Sequence, residues 1–171
     1  LDSVALYRSL VIAADKKNIS YNDHAQLSLI TNDLNIKFNS KIDESEKILL
    51  DGNDITFQVR NETTGLKASK IAEIPEVRKS LLGLQRSFLK PPGLVADGRD
   101  MGSHVFPTAV IKVFLTAKIE ERTKRRYKQL KDKGMNVNLA AVSQEIKSRD
   151  RRDSERSVAP LVAAKDAKIL D

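Results

Sequence analysis

The residue pattern predicts an α/β protein: a parallel sheet flanked by helices, interrupted by an antiparallel insert between about residues 33 and 60. Three observations carry this expectation. Helical periodicity opens the chain, and a stretch of two-residue alternation follows it. From about residue 94 onward, short apolar runs deliver loops and then helices, the strand–loop–helix order of a parallel sheet. Ligands of such sheets bind beyond the carboxyl ends of the strands.

Taken in order, Leu6, Leu10 and Ala13/Ala14 recur at helical spacing and predict a helix over 5–16. A second helix is expected over 22–33, with Asn22 as its cap and Leu27, Leu29 and Ile30 as its apolar contacts. Leu34, Ile36 and Phe38 then alternate with Asn35 and Lys37, as on a half-buried strand. Residues 47–50, the turn Asp51-Gly52 and the alternation Ile55, Phe57, Val59 complete a three-stranded antiparallel meander. Helices are expected over 63–74 and 76–89, separated by Pro75. Pro91-Pro92-Gly93 ends that section, and Leu94-Val95-Ala96 reads as a short strand delivering the loop Asp97-Gly98-Arg99-Asp100-Met101-Gly102. The branched run 109–115 looks like a central strand. A helix over about 119–133 closes on Gly134, and Asn138 caps another from 139 to about 155.

Composition narrows the function. The 171 residues include no Cys and no Trp, so disulfides and thiolate metal sites are excluded, and the lack of Cys fits a reducing cytoplasm. No apolar run approaches the ~20 residues of a membrane span, and no signal peptide is visible. The formal net charge is +7 and is uneven: residues 120–156 hold twelve Lys/Arg against seven Asp/Glu. A local cationic excess implies an anionic partner (a phosphorylated small molecule, nucleic acid or a membrane surface) or else a solvated helix face. Leu1-Asp2-Ser3 reads as a strand already entering a turn, and 167–170 as a strand with nothing after it to cover it, so the chain is expected to be part of a longer one.

Three groups of residues carry chemistry. In Asp97-Gly98-Arg99-Asp100, Gly98 permits a tight turn, Arg99 offers a donor fork suited to a phosphate, and Asp100 offers acceptors suited to an amine. The alternative is a surface turn with a chance Asp–Arg pair. Arg149, Asp153 and Arg156 share one helical face, extended by Arg152: either an ion-pair ladder or a site for phosphate and sugar. The helix at 119–133 carries Arg122, Lys124, Arg125, Arg126, Lys128, Lys131 and Lys133 with few apolar residues, as a helix projecting from the core and covering phosphates would. A nucleic-acid-binding module using the same basic helices would look similar, although aromatic platforms for bases are scarce. His24 and His104 lack partners at metal-ligand spacing, and no Gly-rich phosphate loop occurs in the chain.

In this order these groups resemble the bacterial cytidylate kinase family over almost the whole chain. The strongest pieces are Asp97 to Gly102 with Val105-Phe106-Pro107, then Glu120-Glu121-Arg122 with Arg125-Arg126, and Arg149-Asp150, Asp153 and Arg156 through Leu161. Leu1-Asp2-Ser3, Ala5 and Tyr7-Arg8 resemble the opening of the family's monophosphate site. The resemblance implies a P-loop kinase core (1–30, 91–118 and 157–171), a CMP-binding lobe with a three-stranded antiparallel sheet (31–90), and a short helical lid with its following helix (119–156). It implies transfer of the γ-phosphate of ATP, with Mg²⁺, to CMP or dCMP, by a cytoplasmic monomer that binds neither nucleic acid nor membrane. A kinase for another nucleoside monophosphate is the neighbouring alternative. Ser3, Tyr7, Arg8 and Arg99 correspond to residues that hold the acceptor's phosphate, and Ser69, Arg78 and Asp100 to those that read cytosine. Arg149 and Asp153 would meet ribose and phosphates, Arg156 the transferring phosphate, and Arg122, Arg125 and Arg126 the ATP. Val4 stands where the family usually has Gly, a costly exchange if that position needs positive φ. Lys118 and Ile119 replace the small capping residue before Glu120. The phosphate loop, with its Lys and Mg²⁺-binding hydroxyl, would precede Leu1, so this stretch is not expected to catalyse transfer by itself and holds no metal ligands.

Overall fold

The computed structural model describes residues 1–39, 47–132 and 134–171. Lys133, counted above with the basic helix, lies outside them. The chain divides into two compact units, Leu1–Met101 and Gly102–Asp171.

The first unit is built around α1 (Ser3–Lys16). Asp2 caps it by accepting from the Ala5 N–H at 2.9 Å, which satisfies one donor that a helix start leaves orphaned. Ala5, Leu6, Leu10, Val11 and Ala14 are fully enclosed. A helix that is apolar on most of its circumference has to be surrounded. Here α2 (His24–Ile30), α3 (Thr56–Val59), α4 (Glu62–Ile71) and α5 (Pro75–Ser87) all pack on it. α2 begins one residue later than the sequence implies: Asp23, not Asn22, accepts from the Gln26 N–H, while Asn22 donates its N–H to the Ser20 hydroxyl. A single 3₁₀ turn, Thr31–Asp33, ends it. Pro75 does not merely separate two helices; it opens α5, where a missing N–H costs nothing.

The antiparallel insert forms with β1 (Ile36–Asn39) paired to β2 (Lys47–Leu50) in the register Ile36 to Leu50 and Phe38 to Ile48. Asp51 and Gly52 both take positive φ, +52° and +80°, as a two-residue hairpin turn demands. The third strand differs from expectation. β3 is only Asn53–Asp54, and residues 55–59 turn into α3. Asp54 Oδ1 accepts from both the N–H and the hydroxyl of Thr56, and that local pairing bends the chain out of the ladder. Ile55 and Val59 are buried whereas Phe57 is 85% exposed. Residues four apart share a face in a helix as well as in a strand, so the alternation Ile55, Phe57, Val59 fitted both periods.

The run 94–96 is not a strand. Val95 C=O accepts from the Leu1 amino group at 2.6 Å, and just after the run stands an isolated parallel bridge, Asp2 to Asp97, made by Ser3 N–H to Asp97 C=O at 3.0 Å and Asp97 N–H to Leu1 C=O at 2.9 Å. Val95 is exposed.

A π-helical turn spans Met101–Val105, and in the second unit the central strand expected over 109–115 shortens to β4 (Val113–Leu115), paired in parallel with β5 (Lys168–Leu170). Val110 is 99% exposed and Ile111 is exposed as well. The fold class nonetheless stands: α/β, with a parallel pair, an antiparallel three-stranded sheet and flanking helices. α6 (Ile119–Asp132) packs on α7 (Leu139–Glu155), burying Thr123, Leu130 and Val142. Gly134 takes φ +75° and closes α6 with two backbone bonds, Gly134 N–H to Lys131 C=O and Met135 N–H to Leu130 C=O. Asn138 caps α7 as expected, accepting from the N–H groups of Ala140 and Ala141. Among the described residues no helix is long and apolar enough to cross a membrane.

Candidate active site

Two neighbouring polar constellations sit in the first unit. α5 presents Arg78 and, two turns on, Gln85 along one buried face. Arg78 and Asp100 form an ion pair whose side chains are 4% and 5% exposed. Arg78 Nη2 donates to Asp100 Oδ2 and Nη1 to the Ala72 carbonyl at 3.0 Å. The guanidinium also lies over the Tyr7 ring, 5.7 Å from its centroid. Arg78 Nε is buried with no hydrogen-bond partner. An enclosed donor left without an acceptor costs about 1–3 kcal/mol. Asp100 Oδ1 is the remaining oxygen that can accept from an amine.

The second constellation centres on Ser3. Gln85 Nε2, itself buried, donates to Ser3 Oγ at 2.7 Å. Gly98 closes the loop onto them: a Cβ there would stand 3.1 Å from the Ser3 Cβ and 3.0 Å from the Met101 Cγ. The loop is thus tied at both ends, by Asp97 to the start of α1 and by Asp100 to α5. Arg8, further along α1, donates from its Nη1 to the Val59 carbonyl at 2.6 Å. It lies so close to α4 that a Cβ at Gly65 would come within 2.8 Å of its Nη2. Ser69, on α4, and Arg99, in the loop, are half-buried. Val4 lies within α1 and is not among the positive-φ residues, so the backbone cost feared for it does not arise.

The second unit holds Arg122, Arg125, Arg126, Arg149 and Arg156. α7 places Arg149 and Asp153 one turn apart, with Arg149 Nε 4.0 Å from Asp153 Oδ2. Arg156 stands just beyond α7 in extended backbone, yet its Nη1 comes within 3.5 Å of Asp153 Oδ1 and its side chain is only 6% exposed. The chain then folds back: Arg156 Nε donates to the Ala159 carbonyl at 2.6 Å and the Leu161 N–H to the Asp153 carbonyl at 2.7 Å. Ala159 takes φ +50° between these bonds, a conformation costly for any residue with a Cβ. On α6, Arg122 pairs with Asp150 of α7 at 2.6 Å and donates to the Ala117 carbonyl. Arg126 donates to Gln129 and is half-buried, while Arg125 is exposed.

The family model for cytidylate kinase matches residues 1–171. The chain belongs to the cytidylate kinase family. Cytidylate kinases of Azotobacter vinelandii, Methylococcus capsulatus and Nitrosococcus oceani are 50%, 51% and 51% identical to it. Each alignment covers 100% of this chain and 75–76% of the relative. As a cytidylate kinase family member the protein is a phosphotransferase. Ser3, Arg78, Asp100, Arg149, Asp153 and Arg156 were singled out in its sequence; Gln85, Gly65 and Ala159 were not. Gln85 carried one signal: it lies seven residues after Arg78 and therefore on the same helical face.

Proposed function

We propose that the protein transfers the γ-phosphoryl group of ATP to CMP or dCMP, giving CDP or dCDP, as a cytoplasmic enzyme of pyrimidine nucleotide metabolism. The observation that carries this reading is the buried Arg78–Asp100 pair with its unsatisfied Nε donor. Cytosine offers an amine at its 4-position, for Asp100 Oδ1, and acceptors at N3 and the 2-oxo group, for Arg78. Uracil presents the reverse, a carbonyl to the carboxylate and an N–H to the guanidinium. Ser3, Tyr7, Arg8 and Arg99 hold the acceptor's phosphate, and Ser69 assists at the base. Arg149 and Asp153 meet ribose and phosphates, and Asp153 also orients Arg149 and Arg156 between its two oxygens.

Phosphoryl transfer needs alignment of the two phosphates and cancellation of charge on the transferred group, with no covalent intermediate on the protein. Arg99, Arg126, Arg149 and Arg156 supply that charge, and Arg122 and Arg125 approach ATP from the lid helix. Mg²⁺ accompanies ATP through the donor's phosphates. The arginines contribute cations and alignment.

Calorimetric titration of the full-length protein with CMP, and separately with a short oligonucleotide, tests the reading. CMP is expected to bind with micromolar-range affinity and the oligonucleotide weakly at physiological salt. Tight oligonucleotide binding without CMP heat would overturn the proposal in favour of a nucleic-acid-binding module.

A further inference from the structure

We infer that Gln85 is a positioning residue for the acceptor nucleotide, acting through Ser3. The inference rests on the cytidylate-directed reading above and adds to it a residue that touches no reacting atom. A serine hydroxyl has one proton and two acceptor lone pairs, and its rotor ordinarily turns to suit its surroundings. Here the surroundings are fixed. Gln85 Nε2 donates to Ser3 Oγ at 2.7 Å, and both side chains are enclosed, at 2% exposure each. One lone pair is thereby taken, and the hydroxyl proton is turned away from Gln85. Ser3 is left as a hydrogen-bond donor of set direction.

Phosphate oxygens are acceptors only, so a hydroxyl fixed as a donor suits them and one fixed as an acceptor repels them. The backbone holds Ser3 equally firmly. Its N–H donates to the Asp97 carbonyl, Asp2 caps the helix it opens, and Gly98 leaves room for nothing larger beside its Cβ. Gln85 shares α5 with Arg78, whose pair with Asp100 fixes the far end of the same loop. A helix that orients the base-reading arginine therefore also orients the hydroxyl proton at the start of α1.

The test is a double-mutant cycle in the full-length enzyme, Ser3→Ala, Gln85→Leu and both together, read as KM for CMP, KM for ATP and kcat. Turnover of CMP by the unsubstituted enzyme tests the earlier reading by itself; without it both ideas fall. Given turnover, Ser3→Ala is expected to raise KM for CMP about tenfold, as loss of a hydrogen bond to a charged group does. Gln85→Leu is expected to raise it severalfold, with KM for ATP unchanged. In the double variant the Gln85 substitution adds nothing to the Ser3→Ala effect, because it acts only through the missing hydroxyl. Thermal melts run beside the kinetics, and Gln85→Met replaces Gln85→Leu if the latter fails to fold. Additive effects on KM for CMP, or equal rises in KM for CMP and ATP, would make Gln85 a packing residue and overturn the inference.

Discussion

Two of the Arg–Asp pairs, one taken from each unit, differ in the work that burial does. Arg78 and Asp100 lie in the unit whose hydrophobic cluster, from Ala5 to Leu81, encloses α1, and both charges are almost wholly removed from water. Arg122 and Asp150 join α6 to α7 in the unit with few buried apolar side chains, and both remain about one-third exposed. The nominal contact is the same, yet removal of one partner has different meanings. In the first case it strands an enclosed charge; in the second, water takes the partner's place. In the function proposed above, recognition of a base, which needs fixed geometry, falls on the enclosed pair, and charge compensation falls on the exposed one.

The sharpest way to break this contrast is Arg78→Met. It leaves the Asp100 carboxylate buried and unpaired, and urea denaturation is expected to show a loss of about 3–5 kcal/mol. A loss below about 1 kcal/mol would put the pair in the class of surface bridges. Next in size is Arg156→Ala in the full-length enzyme. If Arg156 strengthens its contact as charge moves in the transition state, kcat falls ~10²-fold or more while KM for CMP changes little. An unchanged kcat would leave Arg156 as part of the structural ladder with Asp153.

A smaller effect separates the two pyrimidines. The mismatch of uracil against Arg78 and Asp100 leaves partners unpaired at roughly 1–3 kcal/mol. The enzyme is expected to favour CMP over UMP by at least ~10-fold in kcat/KM, one decade per 1.4 kcal/mol. Asp100→Asn should narrow that ratio, since an amide can donate to the uracil oxygen. The same ratio in both proteins would remove Asp100 from base recognition. Arg122→Ala, the counterpart of Arg78→Met in the exposed pair, is expected to alter stability by under about 1 kcal/mol, and less still at high salt.

The smallest effect is set by pH. Burial works against ionisation of Asp15, but hydrogen bonds from Lys67 and Tyr21 outweigh it and hold its pKa below the ordinary 3.8. Its contribution is therefore complete above about pH 4 and is lost as pH falls through the folded-state value. Tyr21 moves the other way: burial and its bond to Asp15 raise it above 10.0, so its contribution is lost only at strongly alkaline pH. Lys67→Met should flatten the acid limb of the stability curve slightly, measured as melting temperature from pH 2.5 to 6. An identical limb would show that the exposed bridge contributes nothing.

Much of this was legible in the sequence, for reasons that differ by residue. Caps and closures are local, so Asn138 and Gly134 announced the ends of α7 and α6 correctly. The pairing of Arg149 with Asp153 on α7 followed from spacing, whereas Arg156, expected on the same helical face, reaches Asp153 from extended backbone beyond the helix end. Residues 55–59 misled because a single interval of four serves both periods, and the bond between Asp54 and Thr56 decided the matter. The run 109–115 misled because branched apolar residues mark a strand only where a neighbour covers them, and Val110 and Ile111 stand in the open. Gln85 escaped notice because its partner is 82 residues away; a lone glutamine on an apolar face names no partner.

Val4 has a consequence for how the first turn of α1 forms. A residue in helical backbone gains nothing from the freedom glycine brings, and glycine's greater disorder in the unfolded chain must be given up on folding. Valine ranks above glycine as a helix former by a few tenths of a kcal/mol. The exchange at position 4 therefore narrows the unfolded ensemble beside Ser3, and the turn that fixes that hydroxyl forms at a lower entropic cost than its glycine-bearing equivalent would.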